Sequence, residues 1–223
     1  MGGRKLYDLH THTTASDGTL TPCELADAAV KSGLAGIAIT DHDTVAGLDI
    51  ALEYKKQNNL PIEIIPGIEM NTEYGDEEVH ILGYFINYHD SSLINRLSEI
   101  KKARYTRARN MVTRLQKMGL SIDFAQVERL AHGDLIARPH IARALMEKGY
   151  VFSIKEAFNK YIDRGKPGYV PRYKFLPEEA IALIQKAGGI SVLAHPGLIK
   201  NQDCITRFIN MGIDGLEVFY PEH

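Results

Sequence analysis

His10 and His12 lie two residues apart in the stretch DLHTHT (8–13), near the start of a chain of 223 residues with nine histidines. Alternate residues of a strand share a face, so the two imidazoles can reach one ion together. A lone His-x-His pair is a weak signal, because surface strands produce it by chance. Other ligand types recur along the chain, each near the end of an apolar run. Asp17 follows in the next turn, Asp41 and His42 close GIAITDHD, Glu69 lies in IEIIPGIEM, His80 in EEVHILGY and His195 in ISVLAHP. Burying such groups without partners is costly, and a divalent ion is the partner that satisfies them together. The mix is imidazole and carboxylate without thiolate. It favours manganese, zinc or iron and disfavours calcium, magnesium or an iron–sulfur cluster. His10, His12, Asp17, His42, Glu69, His80 and His195 together exceed what one tetrahedral zinc needs. Two or three ions are therefore expected, with Glu69 as a bridge. Asp8 has the parity of His10 and is expected to orient its ring. Asp41 reads as a support for a neighbour or a turn, and Glu217 as a supporting carboxylate at the same rim.

The elements that must carry these residues alternate. RKLYDLHTH (4–12) reads as a strand. TPCELADAAVKSG (21–33) reads as a helix, with Thr21 as N-cap, Pro22 in the first turn, Glu24 closing a capping box and Gly33 ending it. GIAITDHD (36–43) is a strand, VAGLDIALEYKKQN (45–58) a helix and IEIIPGIEM (62–70) a strand. This order predicts parallel strands with helices outside. Gly75-Asp76 then separates two strand-like runs and predicts a hairpin that pairs Tyr74 with Glu77, Asn71 with His80 and Glu69 with Leu82. Glu69 and His80 become diagonal neighbours on one face. Residues 91–172 read as an inserted helical domain between a first barrel part (1–90) and its continuation (173–223). Leu93, Leu97, Ile100, Ala108, Met111, Leu115 and Met118 recur at helical spacing and predict one long helix. From Lys101 to Lys117 it holds seven basic residues and no acidic one. A solvated face explains this run, and attraction of RNA or phosphate is the functional alternative. PEEAIALIQKAGG (177–189), DCITRFINMG (203–212) and RPHIARALMEKG (138–149) are further helices, with strands at 190–196 and 215–220. In a parallel α/β barrel, the C-terminal strand ends gather functional side chains on one rim.

Composition narrows the class. A net charge of −2 gives no global reason for nucleic-acid or membrane binding. No apolar run is long enough to span a bilayer, and the start lacks the apolar core of a signal peptide and the Ser/Thr of a myristoylation motif. Cys23 and Cys204 read as reduced thiols of a cytoplasmic protein. No obligate protein partner is evident.

DLHTHTTASDGT, AITDHDT, GIEMNTEYGDEEVHILGY and VLAHPG, in that order, resemble successive motifs of the Polymerase and Histidinol Phosphatase (PHP) family. The resemblance covers most of the chain. It implies an α/β fold, a distorted (βα)7 barrel, with a di- or trinuclear centre that cleaves phosphoesters. ARPHIARAL and GKPGYVPR resemble the small stand-alone phosphoesterases, which act on nucleoside 3′,5′-bisphosphates and short oligonucleotides. On that resemblance His10, His12, Asp17, His42, Glu69, His80 and His195 correspond to catalytic metal ligands, with manganese ahead of zinc or iron. Arg138, His140, Lys166 and His223 correspond to the substrate phosphate-binding side. The family's final Gly-Ser-Asp-x-His-type strand has no counterpart here, so the expectation is a C-terminally incomplete barrel. The expected function is hydrolysis of phosphate from nucleoside bisphosphates or of nucleotides from short oligonucleotides. A histidinol-phosphate phosphatase and a non-catalytic metal- or nucleotide-binding domain are the alternatives.

Overall fold

The computed structural model describes residues 5–75, 77–131 and 136–220. They group into two compact units, 1–97 with 174–223, and 98–173. The first unit is built on a sheet of six strands: β1 (Tyr7–Thr11), β2 (Gly36–Ile39), β3 (Glu63–Tyr74), β4 (Glu77–Tyr84), β5 (Ile190–Leu193) and β6 (Gly215–Leu216). They lie side by side in chain order. β1, β2 and β3 are parallel, β4 runs against both β3 and β5, and β6 is parallel to β5. The sheet curls: His10 on β1 and Glu217 just beyond β6, on opposite edge strands, meet at 2.9 Å.

Helices α1 (Pro22–Lys31) and α2 (Ala46–Asn58) cover one face of the parallel part. α1 starts as its sequence requires: the Glu24 N–H donates to Thr21 Oγ1, and the Thr21 N–H donates back to the Glu24 carboxylate. Such a cap is worth about 1 kcal/mol. Ala26 and Ala29 of α1 and Leu48 and Ala51 of α2 close over Ile37, Ile39 and Ile64. Small residues on both helices let them lie close to the strands, and that buried layer fixes where β1, β2 and β3 end. α7 (Pro177–Lys186) and α8 (Asp203–Asn210) follow in the second half of the unit.

The hairpin register is as expected, with Tyr74 opposite Glu77, Asn71 opposite His80 and Glu69 opposite Leu82. Asp76, expected in its turn, lies outside the described residues. Three boundaries differ. β3 is one strand that runs unbroken from the barrel into the hairpin. β5 ends at Leu193, because His195 takes the left-handed conformation at φ +30°. β6 has two residues rather than six, since the chain leaves the ladder beyond the Glu217 N–H bond to the Leu193 carbonyl.

The second unit holds the later turns of α3 (Ser91–Lys117), then α4 (Phe124–Leu130), α5 (Arg138–Glu147), α6 (Ile154–Ala157) and a π-helical turn (Phe158–Ile162). Its core is Met111, Leu115, Ile122, Val127, Ile141, Leu145 and Ile162. Met118, expected on the apolar stripe of α3, lies past the helix end and is exposed.

Candidate metal centre

Glu69 is the hub of the first unit. It is 1% exposed. Its Oε2 lies 3.2 Å from His10 Nε2, 3.2 Å from His12 Nε2 and 3.0 Å from His42 Nδ1. Its Oε1 lies 2.8 Å from His80 Nδ1 and 3.1 Å from His195 Nε2. Five imidazole nitrogens thus crowd a group with about four lone-pair sites. Asp17 adds a carboxylate 3.7 Å from both His12 Nδ1 and His42 Nε2. The seven ligand-type residues therefore converge, drawn from β1, the loops after β1 and β2, the hairpin and the loop after β5.

Each is held in place from behind. The chain after β2 is fastened to β3 by the Glu69 N–H bond to the Asp41 carbonyl and the Asp43 N–H bond to the Glu69 carbonyl. That sets His42 beside Glu69. Buried Asp41 accepts from the Thr13 N–H at 2.6 Å, Thr13 Oγ1 at 2.7 Å and Ser16 Oγ at 2.6 Å, and so folds the loop that carries Asp17. Gly18 is required there, because a Cβ would sit 2.2 Å from the His12 carbonyl oxygen. Asp43, in the left-handed conformation at φ +50°, accepts from the Asn71 backbone and side chain. Glu217 does double duty: Oε1 bonds His10 Nδ1 at 2.9 Å and Oε2 accepts the His195 N–H at 2.6 Å. The second bond fastens a residue whose backbone is strained. Tyr220 packs its ring 5.8 Å from His10 and 5.1 Å from His195.

These contacts revise one reading and add two residues. Asp8 does not orient the His10 ring. It is exposed and accepts the His10 backbone N–H, while Glu217 holds the ring. Asp43 and Tyr220 carried no sequence signal beyond proximity to His42 and to the last strand.

The donor set fits divalent ions. Three groups could each hold one: His10, His12 and Glu69; His12, Asp17 and His42; and His42, Glu69 and His80. Ligand atoms of a tetrahedral shell lie about 3.4 Å apart, which the 3.0–3.7 Å separations at Glu69 and Asp17 bracket. His12 Nδ1 and His42 Nδ1 are buried without a hydrogen bond among the described residues. His42 Nδ1 is near Glu69 but lacks hydrogen-bond geometry, as a ligand nitrogen aimed at an ion would.

Electrostatics in the metal-free protein follow from the crowding. Burial opposes charge on His10, but its bonds to Glu217 and Glu69 prevail and raise its pKa to about 9. His80 is raised to about 9 in the same way by Glu69 and Glu78 against burial. Burial also opposes ionisation of Glu69, yet the imidazoles of His10, His12, His195 and His42 hold it well below the usual carboxylate range.

Of the phosphate-side residues, Arg138, His140 and Lys166 belong to the other unit. Arg138 stacks its guanidinium 5.1 Å from the Phe158 ring centre and reaches Asp163 at 3.4 Å. His140 is buried, and its Nδ1 accepts the Ala137 N–H at the start of α5. Lys166 is exposed. His223 lies outside the described residues.

The family model of the PHP domain matches residues 8–211. The chain belongs to the PHP domain family. This PHP domain is 41% identical over 192 residues to the 5′-3′ exoribonuclease Rnm of Salmonella typhimurium, a match covering 86% of the chain and 66% of that enzyme. The chain thus spans just under two thirds of that relative. The 3′,5′-nucleoside bisphosphate phosphatase of Chromobacterium violaceum is 37% identical, over 97% of the chain and 77% of that protein. A Bifidobacterium adolescentis structure, provisionally named a metal-dependent phosphoesterase, superposes with a TM-score of 0.85 at 32% identity, covering 99% of this chain and 80% of the other. These likenesses agree with an α/β fold built on a curled sheet.

Proposed function

We propose that this chain is a metal-dependent phosphoesterase that releases phosphate from nucleoside 3′,5′-bisphosphates or nucleotides from short oligonucleotides. The observation that carries the reading is the convergence of five imidazoles and Asp17 around buried Glu69. The names of the relatives supply the substrate class. His10, His12, Asp17, His42, Glu69, His80 and His195 are the proposed ligands of two or three ions, manganese first, with Glu69 bridging. Bound there, the ions would supply an acidified water as nucleophile and neutralise the phosphoryl oxygens. Glu217 keeps His10 Nδ1 occupied, so that Nε2 faces the centre. Arg138, with His140 and Lys166, is the proposed grip on a substrate phosphate, its planar fork suited to two oxygens. The same reading includes the distorted (βα)7 form of the barrel, a substrate-side role for the 91–172 insertion, and work in the cytoplasm, in keeping with two free cysteines. Among the described residues, no helix is long and apolar enough to cross a membrane.

The test is phosphate release from 3′-phosphoadenosine 5′-phosphate with Mn²⁺, run beside histidinol phosphate and beside a His10→Ala/His12→Ala variant. Release by the wild type alone, with the bisphosphate preferred, is expected. Equal release by the variant, or preference for histidinol phosphate, overturns the reading.

Two further outcomes follow from the geometry. Glu217→Gln keeps the shape but weakens the hold on His10, and is expected to lower metal affinity by about 10- to 100-fold in competition with a chromogenic chelator. Unchanged affinity would leave Glu217 with a packing role only. The second concerns pH. His10 and His80 have raised pKa values, so their charged pairing with Glu69 stabilises the metal-free protein fully below about 6.5 and fades as pH rises through about 9. Metal binding runs the other way, because coordination requires neutral imidazole. Loading at pH 7.5 should therefore release protons, one each from His10 and His80, and the release should shrink above about 9. Titration calorimetry in buffers of different ionisation enthalpy measures it, and buffer-independent heats at pH 7.5 would refute it.

A further inference from the structure

From Ala157 to Tyr173 the chain has one acidic residue, Asp163, among Lys160, Arg164, Lys166 and Arg172. Asp163 closes the π-helical turn, where its N–H donates to the Phe158 carbonyl at 3.0 Å. This i→i+5 bond widens the turn. In an α-helix, residues five apart point about 140° away from each other. The wider turn brings Phe158 and Asp163 toward one side, and both meet Arg138 at the start of α5. The Phe158 ring centre lies 5.1 Å from the guanidinium carbon, and Asp163 Oδ1 lies 3.4 Å from Nη1. The ring supports the guanidinium plane, while the carboxylate takes its edge.

Arg138 also has like-charged neighbours. Arg107 is pressed down to about 10, by burial first and then by Arg138 and Arg172. Guanidinium groups crowded in this way attract an anion, and Asp163 supplies one from within the chain. It is a weak occupant. Asp163 is about half exposed, it meets Arg138 through one long contact, and the same oxygen accepts the Arg164 N–H at 2.9 Å. Exposed pairs of this kind contribute little. A phosphate carries more charge and sets two oxygens on the fork at once, in shorter bonds. Phosphate therefore wins the contest for Arg138, at an affinity lowered by the carboxylate it displaces.

We propose that Asp163 is a built-in competitor for the phosphate grip: it occupies the Arg138 guanidinium while the site is empty and yields it to a substrate phosphate. The inference rests on the reading of Arg138 as that grip. It assigns Asp163 a role of the opposite sign to that of Glu217. Glu217 strengthens the hold of its partner on a ligand, whereas Asp163 weakens it, for substrate and for departing phosphate alike. Phe158 keeps the guanidinium in plane throughout, so the exchange of anions needs no large movement of Arg138.

The experiment uses the full chain in EDTA, so that binding is read without hydrolysis. 3′-Phosphoadenosine 5′-phosphate is titrated by calorimetry into the wild type, Asp163→Asn, Arg138→Gln and the double variant. Asp163→Asn keeps a side-chain oxygen for the Arg164 N–H, so the thermal midpoint should stay put. It is expected to tighten binding about two- to fivefold. Arg138→Gln should weaken binding about tenfold or more. The double variant should bind like Arg138→Gln alone, because the competition has then lost its object. Binding that is unchanged or weaker in Asp163→Asn, while Arg138→Gln still weakens it, overturns the competitor and leaves the grip standing. The same gain in the Arg138→Gln background also overturns it, since removal of a negative charge would then act at large. Binding that Arg138→Gln does not alter overturns the grip, and the competitor with it. Hydrolysis with Mn²⁺ bears on the metal-centre reading alone, because the EDTA titration does not depend on it.

Discussion

Glu69→Gln is expected to lower phosphate release by about a thousandfold or more, with bound metal falling in parallel. The substitution keeps volume and shape, so the effect is one of charge and donor sense. Whichever way the amide is turned, its NH₂ faces imidazole nitrogens: His80 and His195 on one side, or His10, His12 and His42 on the other. An amide nitrogen neither bridges two ions nor accepts from an imidazole N–H. Metal content by mass spectrometry and turnover under saturating Mn²⁺ are the measurements. Full metal content with wild-type turnover would sink the central role given to Glu69. A second readout is independent of catalysis. Without the carboxylate, the His80 pKa should drop from about 9 toward its ordinary value, because burial then acts with less opposition. Imidazole proton resonances of the metal-free protein, followed against pH, would show it. Removing one partner of a buried charged cluster typically costs about 3–5 kcal/mol, so Glu69→Gln should also lower the thermal midpoint of the metal-free chain at neutral pH.

The positions of the ligand-type residues were legible because they obey local rules. His10 and His12 share a face by strand parity, and the Asn71–His80 pairing follows from a turn at Gly75 and strict alternation, which leave one register. What was not legible depends on contacts across the curl of the sheet. By strand parity Asp8 is the expected partner of His10, two residues away on the same face. The actual partner, Glu217, is 207 residues away and reaches His10 only because the far edge of the sheet bends back to β1. Likewise, the apolar run at 190–196 gives no sign that His195 turns to φ +30°, since that conformation is imposed by the Glu217 bond and by the bend after β5. His140 shows the limit of reading roles from residue type. Its Nδ1 closes the first turn of α5, a helix-capping task that the sequence ARPHIARAL does not announce. The basic run of α3 was visible as charge, but a cavity beside it comes from Val170, Pro171 and Tyr173 folding back more than fifty residues later, which no periodicity encodes.

Asp41→Ala is expected to be the most damaging substitution among residues that do not themselves face the ion cluster. Asp41 is 1% exposed, and its carboxylate takes three short hydrogen bonds, from the Thr13 N–H, Thr13 Oγ1 and Ser16 Oγ. Alanine leaves those donors facing a void. Each unsatisfied buried donor costs about 1–3 kcal/mol, and rotation of the two hydroxyls recovers part of that. A net loss of about 3–5 kcal/mol is expected, which for a chain of this size lowers the thermal midpoint by roughly 10 °C. Asp41→Asn keeps one acceptor and should lose about half as much. The functional loss has a separate origin. The loop from Thr13 to Gly18 carries Asp17 and follows directly on His12, and it packs too closely against the His12 carbonyl to shift without moving that residue. A displacement of about 1 Å at a reacting centre can cost about a hundredfold in rate, so turnover should fall at least that far at temperatures where the variant is still folded. Excess Mn²⁺ should restore part of it, because mass action favours the loop position that completes the His12–Asp17–His42 group. If Asp41→Ala lowered stability yet left turnover and metal affinity untouched, Asp41 would be a support for α2 and the core alone, and the loop would hold its shape through the Gly18 and Thr13 backbone bonds.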